Sequence, residues 1–156
     1  MNLLKKALDY MERIIAIKKQ LGVLFKHGKD ELLTEYDIDV IDDILSVYDG
    51  QGKSFHYDKN NVLSQSVQET LFNEKRTIIE NCLFGVDLNS KAVAICQLRL
   101  WIELLKNAYY KNEVMETLPN IDINIKSGNS LINKLNFAIG SKIGQGGVEL
   151  EKILKN

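Results

Sequence analysis

Apolar residues recur at Leu3, Leu4, Ala7, Leu8, Met11, Ile14, Ile15 and Leu21, close to the 3.6-residue period of one helix face, and predict a helix over residues 3–21. Met1 and Asn2 leave almost no chain for a cap, and Gly22 and Gly28 close the segment. Residues 31–48 repeat the helical spacing in Leu32, Leu33, Tyr36, Val40, Ile41, Ile44, Leu45 and Tyr48, ending at Gly50-Gln51-Gly52, and predict a second helix. Residues 53–61 have no period and read as a loop. Val62, Leu63, Val67, Leu71, Ile78 and Ile79 then fit one or two short helices.

The period changes at Cys82-Leu83-Phe84-Gly85-Val86-Asp87. A continuous apolar run of this length ending in an acid is what a strand buried on both faces of a parallel sheet looks like. From Ser90 to about Lys111 only Arg99, Glu103, Lys106 and Tyr110 form a polar stripe, which predicts a well-buried helix. After Leu118-Pro119-Asn120, the residues Ile121 to Lys126 alternate strictly, the signature of a strand with one wet face or of an edge strand, and Gly128 ends it. Strand, helix and strand across residues 82–127 make a βαβ unit, for which a right-handed parallel crossover is expected. Residues 138–147, with Gly140, Gly144, Gly146 and Gly147, read as a flexible tail before a short amphipathic helix from Val148 to Leu154. The expected class is α/β, a Rossmann-like βαβ unit with an added helical part.

With 156 residues, 45% of them apolar and 26% charged, the chain fits one domain and leaves no room for two independent cores. A net charge of −1 excludes a strongly basic module that binds nucleic acid through its bulk surface. Lysines at Lys18-Lys19 and Lys26 to Lys29 are offset by acids between Asp37 and Asp49. The longest uninterrupted apolar run, Ala92 to Cys96, falls far short of the roughly 20 residues a membrane helix needs, so no membrane partner is expected. Charge at Lys5-Lys6 replaces the apolar centre of a signal peptide, and Cys82 and Cys96 lack CxxC spacing. Together these predict a cytoplasmic protein with reduced core cysteines. The excess of Lys over Arg and the abundance of Ile and Asn point to an AT-rich bacterial genome.

Asp87 is the first chemical candidate. An acid at the carboxyl end of a strand, just before a helix, lies on the rim where doubly wound sheets bind ligands, and its carboxylate would accept hydrogen bonds from both hydroxyls of a ribose. Equally, it would serve as a cap for the following helix. Ser127-Gly128-Asn129-Ser130 is the second: glycine permits close backbone approach to a ligand and the Asn amide matches a purine edge, although a plain turn with a cap explains the same residues. Asp37, Asp39, Asp42, Asp43 and Asp49 lack the spacing of a calcium loop and read as a solvated helix face. His27 and His56 are isolated surface residues, so no metal is expected. The glycines of residues 140–147 lack the strand and Lys-Ser/Thr of a phosphate loop.

Ile79 to Asn89, Ala92 to Ile102, Leu118-Pro119-Asn120-Ile121-Asp122 and Gly128-Asn129-Ser130-Leu131-Ile132 together resemble the large DNA adenine methyltransferases of type IIG restriction-modification systems. The likeness is strongest over residues 76–133. More weakly, the helix at 3–21 looks like the one that follows the cofactor loop in that family. The resemblance implies S-adenosylmethionine as cofactor, with Asp87 on its ribose, Leu88 packed on its adenine ring, and Asn129 with Ser130 at the adenine edge. Where many family members carry Asp, this chain has Asn129, which changes a charged acceptor into a neutral amide oxygen. The family motifs "DP.CGSG.F", which hold the methionine end of the cofactor, and "NPPY", which receive the flipped adenine, are not present in the chain.

The resemblance therefore implies an internal segment of one methyltransferase domain. Residues 1–76 would be mainly helical, 77–133 would form the βαβ half of the cofactor site, and 134–156 the tail. The implied parent methylates the exocyclic amine of adenine in DNA, contacts DNA through parts outside this chain, and leaves no catalytic residue here. An exposed sheet edge would favour self-association. A non-catalytic scaffold or split subunit of the same descent is the alternative. Half of a nucleotide-binding dehydrogenase is disfavoured by the missing glycine fingerprint before Cys82.

Overall fold

The computed structural model describes residues 3–116 and 124–129. Its elements are α1 (Leu3–Gln20), β1 (Tyr36–Ile41), β2 (Ile44–Asp49), α2 (Val62–Cys82), β3 (Gly85–Asp87), α3 (Ser90–Leu105), β4 (Tyr110–Lys111), β5 (Val114–Met115) and β6 (Ile125–Ser127). The α/β class is as expected. The start of the alternating run at 121–123, Ser130, and the tail with the helix expected at 148–154 lie outside the described residues.

Helix α1 follows its pattern: Met11, Ile15 and Ala16 are buried, and Gly22, at φ +66°, closes it by donating to the Lys19 carbonyl while Val23 donates to that of Lys18. The second predicted helix is a correction. Residues 36–49 form an antiparallel hairpin, paired from Tyr36↔Asp49 to Ile41↔Ile44 and turned by Asp42 and Asp43, both with positive φ. Tyr36-Asp37-Ile38-Asp39-Val40 alternates with period two, and Asp tolerates the left-handed turn positions that a two-residue hairpin demands. The five acids are accordingly not a helix face. Asp37 and Asp39 are exposed on β1, Asp43 pairs with Arg13 at 2.9 Å, and Asp49 accepts from the Gln51 and Lys53 amides.

Helix α2 is one 21-residue element. Its N-cap is Asn61, the last residue of the segment that the sequence reads as a loop; its side chain accepts from the Leu63 and Ser64 amides. Its buried residues Val67, Leu71, Phe72 and Ile79 meet Met11 and Ile15 of α1, Leu24 and Leu33 of the following loop, and Leu100 and Leu104 of α3 in one core. The lysine Lys75 lies inside that core, 2% exposed, with Nζ 2.7 Å from Glu103 and 3.8 Å from Glu12.

Strand β3 pairs parallel with β6, in the register Gly85↔Ile125, Val86↔Lys126 and Asp87↔Ser127, with α3 between them in sequence. The parallel βαβ connection is as expected, but two burial expectations are not met. β3 is not covered on both faces, since Phe84, Val86 and Leu88 are exposed; α3 ends at Leu105 rather than near Lys111 and exposes Ile95, Leu98, Ile102 and Leu105. Beyond it, Tyr110–Lys111 and Val114–Met115 form a small hairpin about Asn112 and Glu113. Cys82, expected in the core, is exposed at the end of α2, while Cys96 is half-buried; both are free thiols.

Candidate functional site

The carboxyl ends of β3 and β6 bring the sequence candidates together. Asp87 closes β3, Leu88 follows it, and Asn129 stands just past β6, whose end pairs with that of β3. Two backbone hydrogen bonds frame the ladder: the Gly85 N–H donates to the Asn124 carbonyl at 2.9 Å, and the Gly128 N–H donates to the Asp87 carbonyl at 2.9 Å. Packing is close at the first of these positions: a Cβ on Gly85 would lie 3.3 Å from Ile125 Cδ1, so the end of the isoleucine side chain would have to give by a few tenths of an ångström.

Asp87 is exposed, and its Oδ1 accepts from the Asn89 N–H at 2.8 Å. Asn89 is the N-cap of α3, its own Oδ1 accepting from the Lys91 N–H at 3.0 Å. Capping thus falls to Asn89. The Asp87 carboxylate instead braces the turn through one oxygen, with Oδ2 unengaged among the described residues. Leu88 presents its side chain to solvent. Ser130, the fourth candidate, lies outside the described residues.

Two side chains that the sequence did not mark hold this rim in place. Asn124 Nδ2 donates to the carbonyls of Ile79, Glu80 and Leu83, joining the end of α2 to the start of β6. Gln97 Nε2 donates to the Ile125 carbonyl at 2.9 Å, joining α3 to β6. Neither has a sequence signal, because both reach backbone groups far along the chain.

Beside Asp87 opens a groove of about 390 Å³ between the first residues of α1 and the inner side of α3. Leu3, Leu4, Val86 and Ile95 make it apolar, and Arg99 adds a cation. Burial pushes the Cys96 thiol above its usual range, against the weaker pull of Arg99, so this cysteine is a neutral wall residue rather than a nucleophile. Among the described residues no cluster of His, Cys, Asp and Glu is arranged to hold a metal, and no helix is long and apolar enough to cross a membrane.

Over 66 residues the chain is 46% identical to a protein of Methanocaldococcus jannaschii named as a type II restriction enzyme and methyltransferase; the match covers 40% of this chain and 5% of that relative. The chain thus spans a small part of the length of the relative it matches. No family model and no solved structure matches it.

Proposed function

We propose that this chain forms the ribose-and-adenine half of an S-adenosylmethionine site in the methyltransferase region of a restriction-modification protein. The observation that carries the reading is the placement of Asp87: an exposed acid at the carboxyl end of a parallel strand, relieved of capping by Asn89, with one carboxylate oxygen unengaged among the described residues. That oxygen suits a ribose diol, the exposed Leu88 suits a ring face, and Asn129 with Ser130 suits the donor and acceptor edge of adenine. The similarity to a restriction enzyme and methyltransferase supports the same reading.

Bound there, the cofactor would supply an electrophilic methyl group, and in the whole enzyme the acceptor would be the exocyclic amine of adenine in DNA, presented by base flipping. This chain's residues would bind and orient the nucleoside end. None is assigned a catalytic role, and no methyl transfer by this chain alone is expected.

A half-site makes a specific statement: adenosine should bind as well as S-adenosylmethionine, because the residues assigned to the site all meet the nucleoside end. Both should bind at roughly millimolar strength, about −4 kcal/mol. Amide chemical shifts followed during titration with each ligand should move at Asp87, Leu88 and Asn129, and Asp87→Ala should abolish the movement. Micromolar binding of S-adenosylmethionine, or shifts confined to other residues, would overturn the half-site. A scaffold or split-subunit role is the second reading, favoured by the bare face of β3.

A further inference from the structure

Helix α2 ends without the usual local devices. Its last turn carries no basic side chain, and Leu83 behind it is extended rather than left-handed, so no glycine-type cap takes up the final carbonyls. The donor comes instead from Asn124, more than forty residues along the chain: its Nδ2 lies 2.9 Å from the Ile79 carbonyl oxygen, 2.7 Å from that of Glu80 and 3.2 Å from that of Leu83. All three neighbours accept, so the place requires a donor, and an isosteric carboxylate would set oxygen against oxygen. The backbone of the same residue starts the ladder, its carbonyl accepting from the Gly85 N–H at 2.9 Å.

Little else fixes the register of β3 against β6. Each strand has three residues, and of these six only Ile125 is buried, so the hydrophobic pattern that normally specifies a register is nearly absent. Only Leu83 and Phe84 separate the end of α2 from Gly85, so a side chain that holds that end also holds the start of β3, two residues before Asp87. The chain of Asn124 runs in turn through β6 to Asn129. We propose that Asn124 is a positioning residue of the half-site, a remote cap of α2 that sets β3 against β6 and so keeps Asp87 and Asn129 on a common rim. It touches no ligand itself, because the rim lies about 10 Å further along β6. The inference rests on the half-site reading and adds to it a residue that acts through others.

The test compares variants of the full chain. Asn124→Asp keeps the shape and reverses the donor; Asn124→Ser, a milder change, keeps one hydroxyl donor on a shorter arm and serves if the first does not fold. Asn61→Ala is the control, because it removes the cap at the opposite end of α2 and touches neither strand. Amide exchange at Gly85 and Gly128 should quicken by about tenfold or more in Asn124→Asp, the scale of a lost buried hydrogen bond, less in Asn124→Ser, and not at all in Asn61→Ala. Adenosine, followed by the amide shifts of Asp87, Leu88 and Asn129, should bind about tenfold more weakly or worse to Asn124→Asp and as the wild type does to Asn61→Ala. Acidification gives a carboxylic acid one O–H donor, so over the pH range in which the wild type keeps its affinity Asn124→Asp should regain part of its binding while Asn124→Ser shows no response. Unchanged exchange at Gly85 and Gly128 in Asn124→Asp would overturn the register lock. Equal adenosine binding by Asn124→Asp and the wild type would overturn the positioning role, as would equal losses in Asn61→Ala, which reduce Asn124 to one stabilising cap among others. A wild type without adenosine shifts at Asp87 defeats the half-site reading instead, and the exchange rates then decide the lock alone.

Discussion

Asp87 and Asn89 share one turn in which the Asn89 N–H donates to Asp87 Oδ1 at 2.8 Å, while Asn89, not Asp87, caps α3. The two side chains are therefore separable by mutation. Asn89→Ala removes a cap and should cost about 1 kcal/mol of stability with little effect on nucleoside binding. Asp87→Ala should leave the cap intact and, in the whole enzyme, weaken cofactor binding by about 1.5–3 kcal/mol, roughly tenfold or more, the scale of hydrogen bonds to a charged group. Thermal melts and equilibrium dialysis on both variants decide it: an Asp87→Ala enzyme that melts early yet binds cofactor normally would make Asp87 structural.

Lys75 joins three helices. Its ammonium, on α2, sits 2.7 Å from Glu103 of α3 and 3.8 Å from Glu12 of α1, and all three side chains are buried. Replacing one member of a buried ion group strands the others, so Lys75→Met should destabilise by roughly 3–5 kcal/mol. Adding Glu12→Gln and Glu103→Gln to it should recover much of the loss, since no uncompensated carboxylate then remains. Urea unfolding of the single and triple variants is the measurement. A triple variant no more stable than the single one would mean that Lys75 acts through packing.

The same cluster has a pH signature. Burial, only partly offset by Lys75 and reinforced by Glu103, holds the Glu12 carboxyl above its ordinary 4.5. Burial also opposes ionisation of Glu103, but Lys75 and Lys106 outweigh it and hold that carboxyl below 4.5. The signs are opposite. Glu12's contribution is complete below its unfolded pKa and lost as pH rises through its raised folded value; Glu103's is complete above its unfolded pKa and lost as pH falls through its depressed one. Glu12→Gln should therefore flatten stability from mildly acid to neutral pH, and Glu103→Gln should flatten the acid limb. Curves parallel to the wild type for both variants would show that neither carboxyl titrates differently on folding.

How much of this was legible follows from which residues carried two signals at once. In α1 the apolar period, its length and Gly22 agree, and the helix is where the pattern puts it. In residues 36–49 the apolar positions also fit a helical period, and the competing alternation Tyr36, Ile38, Val40 spans only five residues; the deciding information was the Asp42-Asp43 turn. For β3 and α3 the sequence correctly marks apolar side chains, but burial depends on which neighbours are present, and among the described residues Phe84, Leu88 and Ile95 stay largely exposed. Asp87 and Asn129 were legible because they punctuate strand ends. Asn124 and Gln97 were not, because their partners are carbonyls far along the chain.

The hairpin turn gives a prediction whose sign depends on the fold. Asp42 and Asp43 adopt φ values of 51° and 62°, a region that Asp tolerates but that glycine enters at less cost. Replacing the pair by Asn-Gly should raise stability by roughly 0.5–1 kcal/mol, net of the exposed Arg13–Asp43 ion pair, and raise Tm by about 1–4 °C. In a helix the same glycine would cost about 1 kcal/mol. A fall in Tm would therefore contradict the hairpin.

Duplex DNA should find little purchase on this chain. Of the lysines that made a basic surface conceivable, Lys18 is paired with Glu74, Lys26 with Glu31 and Glu35, and Lys19 donates to the Leu33 carbonyl at 2.7 Å. The hairpin beside them carries exposed Asp37 and Asp39, and the chain as a whole has a net charge of −1. Phosphate contacts release counterions only where lysines or arginines are available to neutralise phosphates, so binding should be non-specific, about 10⁻⁴ M or weaker at physiological salt, with a shallow salt dependence. On the proposed reading, specific recognition belongs to regions outside this chain. Titration of labelled duplexes at two salt concentrations measures both quantities. Sub-micromolar binding that falls steeply with salt would place a nucleic-acid surface on the α1 side of the molecule, and the ion pairs described there would have to open to form it.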